Sequence, residues 1–303
     1  MHEIIETKDL WKSFGRIEAL RGASLISVRG VSGLVGPNGA GKTTLINILI
    51  GLIKPDRGEA YVLGLDVLKE GVEIRRRIRV LQEDQVFPKN MSLRRYLLHA
   101  ARLYECDVSE VSRVLKLTGL IEYSERSIKS LSAGLLQRLR LAQALIGEPE
   151  LIILDEPTKS LDPLARVEFL NIVSRLNRDR GVNFLISSHI LPELEKICNW
   201  FSIINRGVIV AQGTLIDLAS KIPPTHKYRI VSSDNSTLVA ELKNYKVVEE
   251  TIVYRHYIEV AVKDSVEFLK ILAQIVKEKK LKLYRLESPE STLEYIFEKV
   301  VRK

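Results

Sequence analysis

Cysteine is scarce in this 303-residue chain, with only Cys106 and Cys198, far apart in sequence. That excludes a disulfide framework, points to a reducing compartment, and leaves both thiols reading as inert rather than nucleophilic. Long apolar runs are missing too. Nowhere does the chain hold the roughly 20 predominantly apolar residues a membrane-crossing helix needs, so any work at a membrane requires another chain to span it. The opening stretch, MHEIIETKDLWKSF, carries acids where a signal peptide needs a basic start and an apolar run. No export signal is expected. Fixed-period repeats and low-complexity segments are absent as well. The net charge is +8, but it is not concentrated: 16 basic residues face 12 acidic from Lys221 onward, and 30 face 26 before it. Without a basic block, the excess reads as a solvated surface rather than a nucleic-acid or anionic-lipid footprint.

What is present is an ordinary globular composition, 46% hydrophobic and 28% charged, able to bury a full core. The length suggests two unequal domains. EIIETKDL and ALRGASLISV, separated by SFGR, alternate as antiparallel strands do. VSGLVG, PNGAGKTT and LINILIGL then read as strand, glycine-rich loop and helix. Residues from about 85 to 145 are mostly helical by period, as in SLRRYLLHAARLY and SEVSRVLKLTGL. LIILD, VNFLISS and FSIINRGVIVAQG are further strands, with helix ARVEFLNIVSRLNRD after the first. Strands alternating with crossover helices predict a parallel α/β sheet.

The adjacent prolines Pro223 and Pro224 break this pattern, which sets domains at 1–220 and 221–303. The second reads as strand YRIV, helix TLVAELK, strands KVVEE and IVYRHYIEVAV, helix SVEFLKILAQIVKEK and strand LKLYRL. Its βαββαβ order predicts a small α+β, ferredoxin-like unit. In IVYRHYIEVAV, the residues Ile252, Tyr254, Ile258, Val260 and Val262 are expected to share one face. Asp264 with Glu267 resembles a capping box.

GPNGAGKT at 36–43 fits G-x-x-x-x-G-K-[ST] between a strand and a helix, the context a phosphate loop needs. Gly36, Gly39 and Gly41, with Pro37, Asn38 and Ala40 between them, let the backbone curl until its N–H groups converge on phosphate oxygens at a helix N-terminus. Lys42 is expected to reach the β- and γ-phosphates, Thr43 to ligate Mg²⁺, and Thr44 to add a phosphate hydrogen bond. LIILDE ends in Asp155 and Glu156 at the C-terminal edge of a buried strand, where open α/β sheets bind ligands. Asp155 is expected to hold Mg²⁺, and Glu156 to polarise the attacking water as general base.

LSAGLLQR at 131–138, upstream of LIILDEPTKSLDP and ISSH, resembles the signature, Walker B, D-loop and H-loop order of the ABC ATPases, over residues 1 to about 215. The resemblance implies an α/β P-loop fold with antiparallel β and helical subdomains, in which two ATPs are buried between two copies. Each phosphate loop is then completed by the facing copy's signature, here Ser132 and Gly134. The family pattern is LSGGQ, and this chain places Ala133 and Leu135 where it has glycine and glutamine, which implies an active but slower enzyme. By the same resemblance Gln82 is the Q-loop residue near Mg²⁺ and water, His189 the switch histidine, Asp162 the D-loop aspartate and Phe14 the adenine-stacking aromatic.

SPESTLEYIF at 288–297 and the stretch ISSHILPELEKICNWFSIINRGVIVAQGT resemble ATP-binding subunits of ABC-2-type drug and sodium exporters. This implies an ATP hydrolase, peripheral on the cytoplasmic membrane face, that powers outward movement of a small solute through separate integral membrane subunits. It would form a homodimer or paralogous heterodimer on binding ATP, with no nucleic acid. One rival is an ABC ATPase acting on nucleic acid or ribosomes, disfavoured by the single ATPase unit and the lack of long heptad insertions. Another is a regulatory module that binds nucleotide without hydrolysis, against which Glu156 and His189 stand.

Overall fold

Val31–Val35 and Leu151–Asp155 are apolar without alternation, the pattern of strands covered on both faces. In the computed structural model both lie inside one sheet, buried from Val31 to Val35 and from Leu151 to Leu154. The structure describes residues 3–81, 86–222, 226–288 and 292–301. It separates into two compact units, Met1–Thr214 and Leu215–Lys303.

The first unit runs β1 (Glu3–Phe14), β2 (Ile17–Ala23), β3 (Ile26–Val28), β4 (Val31–Val35), α1 (Lys42–Leu49), β5 (Arg57–Val62), β6 (Leu65–Asp66), α2 (Gly71–Arg77) and β7 (Ile78–Leu81). It continues with α3 (Leu93–Leu103), α4 (Ser109–Leu117), α5 (Ala133–Ala144), β8 (Leu151–Asp155), α6 (Pro163–Arg180), β9 (Asn183–Ser188), α7 (Leu191–Ile197), β10 (Trp200–Asn205) and β11 (Val208–Gly213). One sheet has the order β11-β10-β4-β9-β8-β7, parallel except for β11. A second, antiparallel sheet has the order β2-β1-β5-β6, with β3 also on β1. Helices α3, α4 and α5 supply the helical region expected at about 85–145.

Helix α1 is held between the two sheets. Its Leu45, Ile46, Ile48 and Leu49 share a buried cluster with Leu10, Leu20 and Val62 of the antiparallel sheet and with Ile153 and Leu185 of the parallel one. Each such side chain contributes about 1.5–3 kcal/mol by burial. The helix that follows the phosphate loop is therefore anchored on both sides, and its N-terminus is fixed relative to the ends of β8 and β9.

The second unit contains α8 (Leu215–Ser220), β12 (Lys227–Ser232), α9 (Asn235–Leu242), β13 (Val248–Val253), β14 (Ile258–Val262), α10 (Ser265–Glu278), β15 (Leu283–Glu287) and α11 (Leu293–Val301). Helix α8 packs with α11, so the division falls between Thr214 and Leu215 rather than after Ser220. Pro223 and Pro224 lie outside the described residues. The antiparallel sheet order β13-β14-β12-β15 is that of a ferredoxin-like unit. Ile230, Ile258, Val260 and Val262 pack against Leu238, Phe268, Leu272 and Ile275 of α9 and α10. The Asp264 carboxylate caps α10, accepting from Val266 N at 2.7 Å and Glu267 N at 2.9 Å.

One sequence expectation fails here. Ile252, Tyr254, Ile258, Val260 and Val262 do not share a strand, because the chain reverses between β13 and β14: Tyr254 N donates to Tyr257 O at 2.8 Å, and the two tyrosine rings stack with centroids 4.5 Å apart. Ile258, Val260 and Val262 are buried, whereas Ile252 and Tyr254 are exposed. No glycine, proline, asparagine or aspartate marks this turn, so alternation runs through it unbroken.

Candidate functional site

The loop between β4 and α1 takes its shape from small residues. Gly41 has φ +106°, and a Cβ there would meet Ala19 O at 2.6 Å; a Cβ on Gly36 would run into Ile204 O. Both are close approaches that a side chain forbids. No acid sits in the first turn of α1 and no side chain caps it, so its free N–H groups face the loop. Lys42, 6% exposed, folds back over the loop and donates to Gly36 O at 2.8 Å and Pro37 O at 3.3 Å. A cavity of about 320 Å³ opens here, lined by Asn38, Gly39, Gly41, Lys42, Thr43 and Thr44 from the loop and helix, by Ile17 and Ala19 from β2, and by Glu156.

The sheet order brings the remaining chemistry to this cavity. β4, β9 and β8 are neighbours and parallel, so the phosphate loop, His189 and the Asp155–Glu156 pair all leave the same edge. Thr43 Oγ1 donates to Asp155 Oδ2 at 3.0 Å. The Glu156 carboxylate lies between Lys42 and His189: Lys42 Nζ is 3.3 Å from Oε1, and His189 Nδ1 is 2.8 Å from Oε2. Glu156 has φ +47°. Left-handed backbone at a non-glycine residue costs of order 1–3 kcal/mol and persists only when its surroundings hold it.

Several sequence-derived residues lie apart from this group. Ser132 is exposed at the N-terminus of α5, where its Oγ accepts from Leu135 N at 3.3 Å. A Cβ on Gly134 would meet the Ala165 Cβ at 2.9 Å, so glycine lets α5 approach α6 closely. Asp162 caps α6 through Ala165 N at 2.9 Å. Phe14, 49% exposed, ends β1 opposite Ile17 and flanks the cavity without lining it. Gln82 lies outside the described residues.

Other residues emerge from the structure alone. Ile17 and Ala19 wall the cavity, and alternation in a short strand carried no sign of this. Asp56 anchors the hairpin that presents Phe14, accepting from Lys12 Nζ at 2.8 Å and Ser13 N at 2.7 Å. The Lys12 ammonium first, and then the Ser13 amide, hold its carboxyl below the usual range. The buried Thr158 donates to Glu193 Oε2 at 2.7 Å and Arg166 Nη1 lies 3.4 Å from Glu193 Oε1, tying the loop after Glu156 to α7, the helix after His189. Burial pushes the Cys198 thiol up, which keeps it protonated and inert.

Thr43 and Asp155 offer two adjacent hard oxygen donors, and no cluster of three or more His, Cys, Asp or Glu among the described residues makes an all-protein cage. That set fits Mg²⁺, which keeps several waters and completes its octahedron with substrate phosphates.

Residues 26–159 match the ABC transporter family. The bacitracin transport ATP-binding protein BcrA of Bacillus licheniformis is 33% identical over 264 residues, 84% of this chain and 86% of the relative. The linearmycin resistance ATP-binding protein LnrL of Bacillus subtilis is 27% identical over 97% of both chains. A dimeric post-hydrolysis ATP-binding cassette bound to ADP and phosphate is 25% identical, covers 69% of this chain and 98% of its own, and has a TM-score of 0.60. No helix among the described residues is long and apolar enough to cross a membrane. With the phosphate loop, acid pair and histidine on one sheet edge and relatives matching along most of its length, this chain belongs to the ATP-binding proteins of ABC transporters.

Proposed function

We propose that the chain hydrolyses Mg·ATP and transmits the resulting closure to separate integral membrane subunits that export a small solute, while it sits on the cytoplasmic face of the membrane. The observation that carries the hydrolytic part is the meeting of Lys42, Glu156 and His189 at the mouth of the phosphate loop. The loop from Gly36 to Thr44 would cradle the phosphates with its backbone N–H groups, Pro37 having none. Lys42 would exchange the neutral carbonyls of Gly36 and Pro37 for phosphate oxygens, whose full negative charge adds Coulomb attraction to the hydrogen bond. That movement also frees Glu156 Oε1 to take a proton from the water attacking the γ-phosphorus, with ADP leaving. His189 would contact the γ-phosphate. Thr43, Asp155 and Gln82 would hold Mg²⁺, which when bound neutralises β- and γ-phosphate charge.

The dimer reading rests on where the signature lies. Ser132 and Ala133 are exposed at the start of α5, and that helix has no acid in its first turn, so an anion brought by a second copy or a paralogue would meet free N–H groups there. Asp162 at the start of α6 would communicate across that contact. Phosphate release by the purified chain tests hydrolysis. Purification from native membranes tests partnership, and recovery with ribosomes or DNA in place of an integral membrane protein would overturn the transport reading.

Two further results are expected. Phe14→Ala weakens ATP binding by about 1–3 kcal/mol if its ring stacks on adenine, and Phe14→Tyr is nearly neutral. Calorimetric titration reads both, and unchanged affinity in a folded alanine variant removes Phe14 from the site. A chain ending at Thr214 keeps ATP binding, because all the residues assigned to nucleotide precede that point. Loss of binding in a folded truncation would refute this division of labour, under which the ferredoxin-like unit serves dimer stability or regulation.

A further inference from the structure

We infer that Ser187 is a positioning residue for the acid pair, a role that rests on the hydrolytic reading above. Ser187 is completely buried in β9, in register with Asp155 of β8. Its Oγ accepts from Glu156 N at 3.1 Å and contacts Asp155 Oδ1. The direction of both bonds is forced. An amide can only donate and a serine hydroxyl has one hydrogen, so the chain runs from the Glu156 amide through the hydroxyl to the Asp155 carboxylate. Bonds linked in this way polarise one another.

This one hydroxyl reaches both acids. Asp155 is pinned on two sides, by Ser187 at Oδ1 and by Thr43 at Oδ2, which sets the carboxylate plane beside the phosphate loop. Glu156 is held at φ +47° by its amide, which Ser187 takes through both Oγ and its carbonyl oxygen at 3.1 Å. Without the hydroxyl, Asp155 Oδ1 loses its partner from β9, and Glu156 keeps one of two restraints on a disfavoured backbone.

The test is phosphate release by the full chain, titrated with Mg²⁺ at saturating ATP, for Ser187→Ala, Ser187→Val and Ser187→Thr. Threonine and valine share a shape, so their difference reads the hydroxyl alone. Alanine and valine are expected to lower kcat about 10- to 100-fold, the range for losing a hydrogen bond to a charged group. They are also expected to raise the Mg²⁺ concentration at half-maximal rate while leaving metal-free ATP affinity at the parent value. Threonine should recover most of the rate. Ser187→Cys, close to serine in volume and a weak hydrogen bonder, replaces alanine should that variant not fold, with the same expected loss. A folded hydroxyl-free variant with parental kcat and Mg²⁺ dependence overturns the inference, as does threonine performing no better than valine. Failure of the hydrolytic reading is separately visible, since the parent would then show no phosphate release that depends on Glu156.

Discussion

Glu156→Gln is expected to retain ATP binding and to lower hydrolysis by about 10²–10⁴-fold, the range for loss of general-base help. Glutamine keeps the shape of the side chain and removes its basicity. It also removes the charge that Lys42 and His189 now face at 3.3 and 2.8 Å, which leaves Lys42 with less to give up on turning to phosphate, so ATP affinity should not fall. With hydrolysis blocked and a facing signature needed to close each site, Mg·ATP should collect the variant as a homodimer, or as a heterodimer if a paralogue is the true partner. The nucleotide-free chain should sediment mostly as a monomer. Sedimentation and phosphate release on one sample read both effects. Parental turnover would dismiss Glu156 as the base, and ATP binding without dimers would count against the composite site.

Lys42→Ala should act earlier, on binding itself. The lysine is buried, donates to two loop carbonyls and faces Glu156, so its removal deprives the phosphates of their one charged contact from the loop and leaves a carboxylate at the mouth. Truncating one partner of a buried, hydrogen-bonded charge pair costs about 2–5 kcal/mol. ATP affinity should therefore fall by about 30- to several-thousand-fold at 1.4 kcal/mol per decade. Equilibrium binding of a fluorescent ATP analogue measures it, with a thermal melt to show that the variant is folded. A folded alanine variant within a few-fold of parental affinity would mean that the backbone cradle alone holds the phosphates.

Much of the fold was legible because the signals are local. LIILD and VSGLV read as two-face-buried strands from composition alone, and the glycines of 36–41 announced a loop that side chains could not follow. The βαββαβ order of the second unit was equally visible. Its hairpin at Tyr254–Tyr257 was not, since two stacked tyrosines close the turn in place of the usual small or polar residues.

The candidate site divides along the same line. Lys42, Thr43, Asp155 and Glu156 could be named because each stands in a short pattern whose chemistry calls for that residue type, and His189 because ISSH resembles a family motif. Ser187, Ile17, Asp56 and Glu193 could not, because a serine in a strand, an isoleucine in a hairpin or an acid in a helix is ordinary until its neighbours are known. The sequence by itself determined most of the strands, loops and helices, the Tyr254–Tyr257 turn excepted, and which groups can bear phosphate, metal and proton. Only the tertiary structure decided that β4, β9 and β8 are adjacent and parallel, so that Thr43 and Asp155, 112 residues apart, meet at 3.0 Å while the Ser187 hydroxyl orders both acids. The reason is physical: side-chain periodicity is set within one element by backbone geometry, whereas the order of strands is set by how buried faces on distant segments pack together, and no single window of sequence contains both partners.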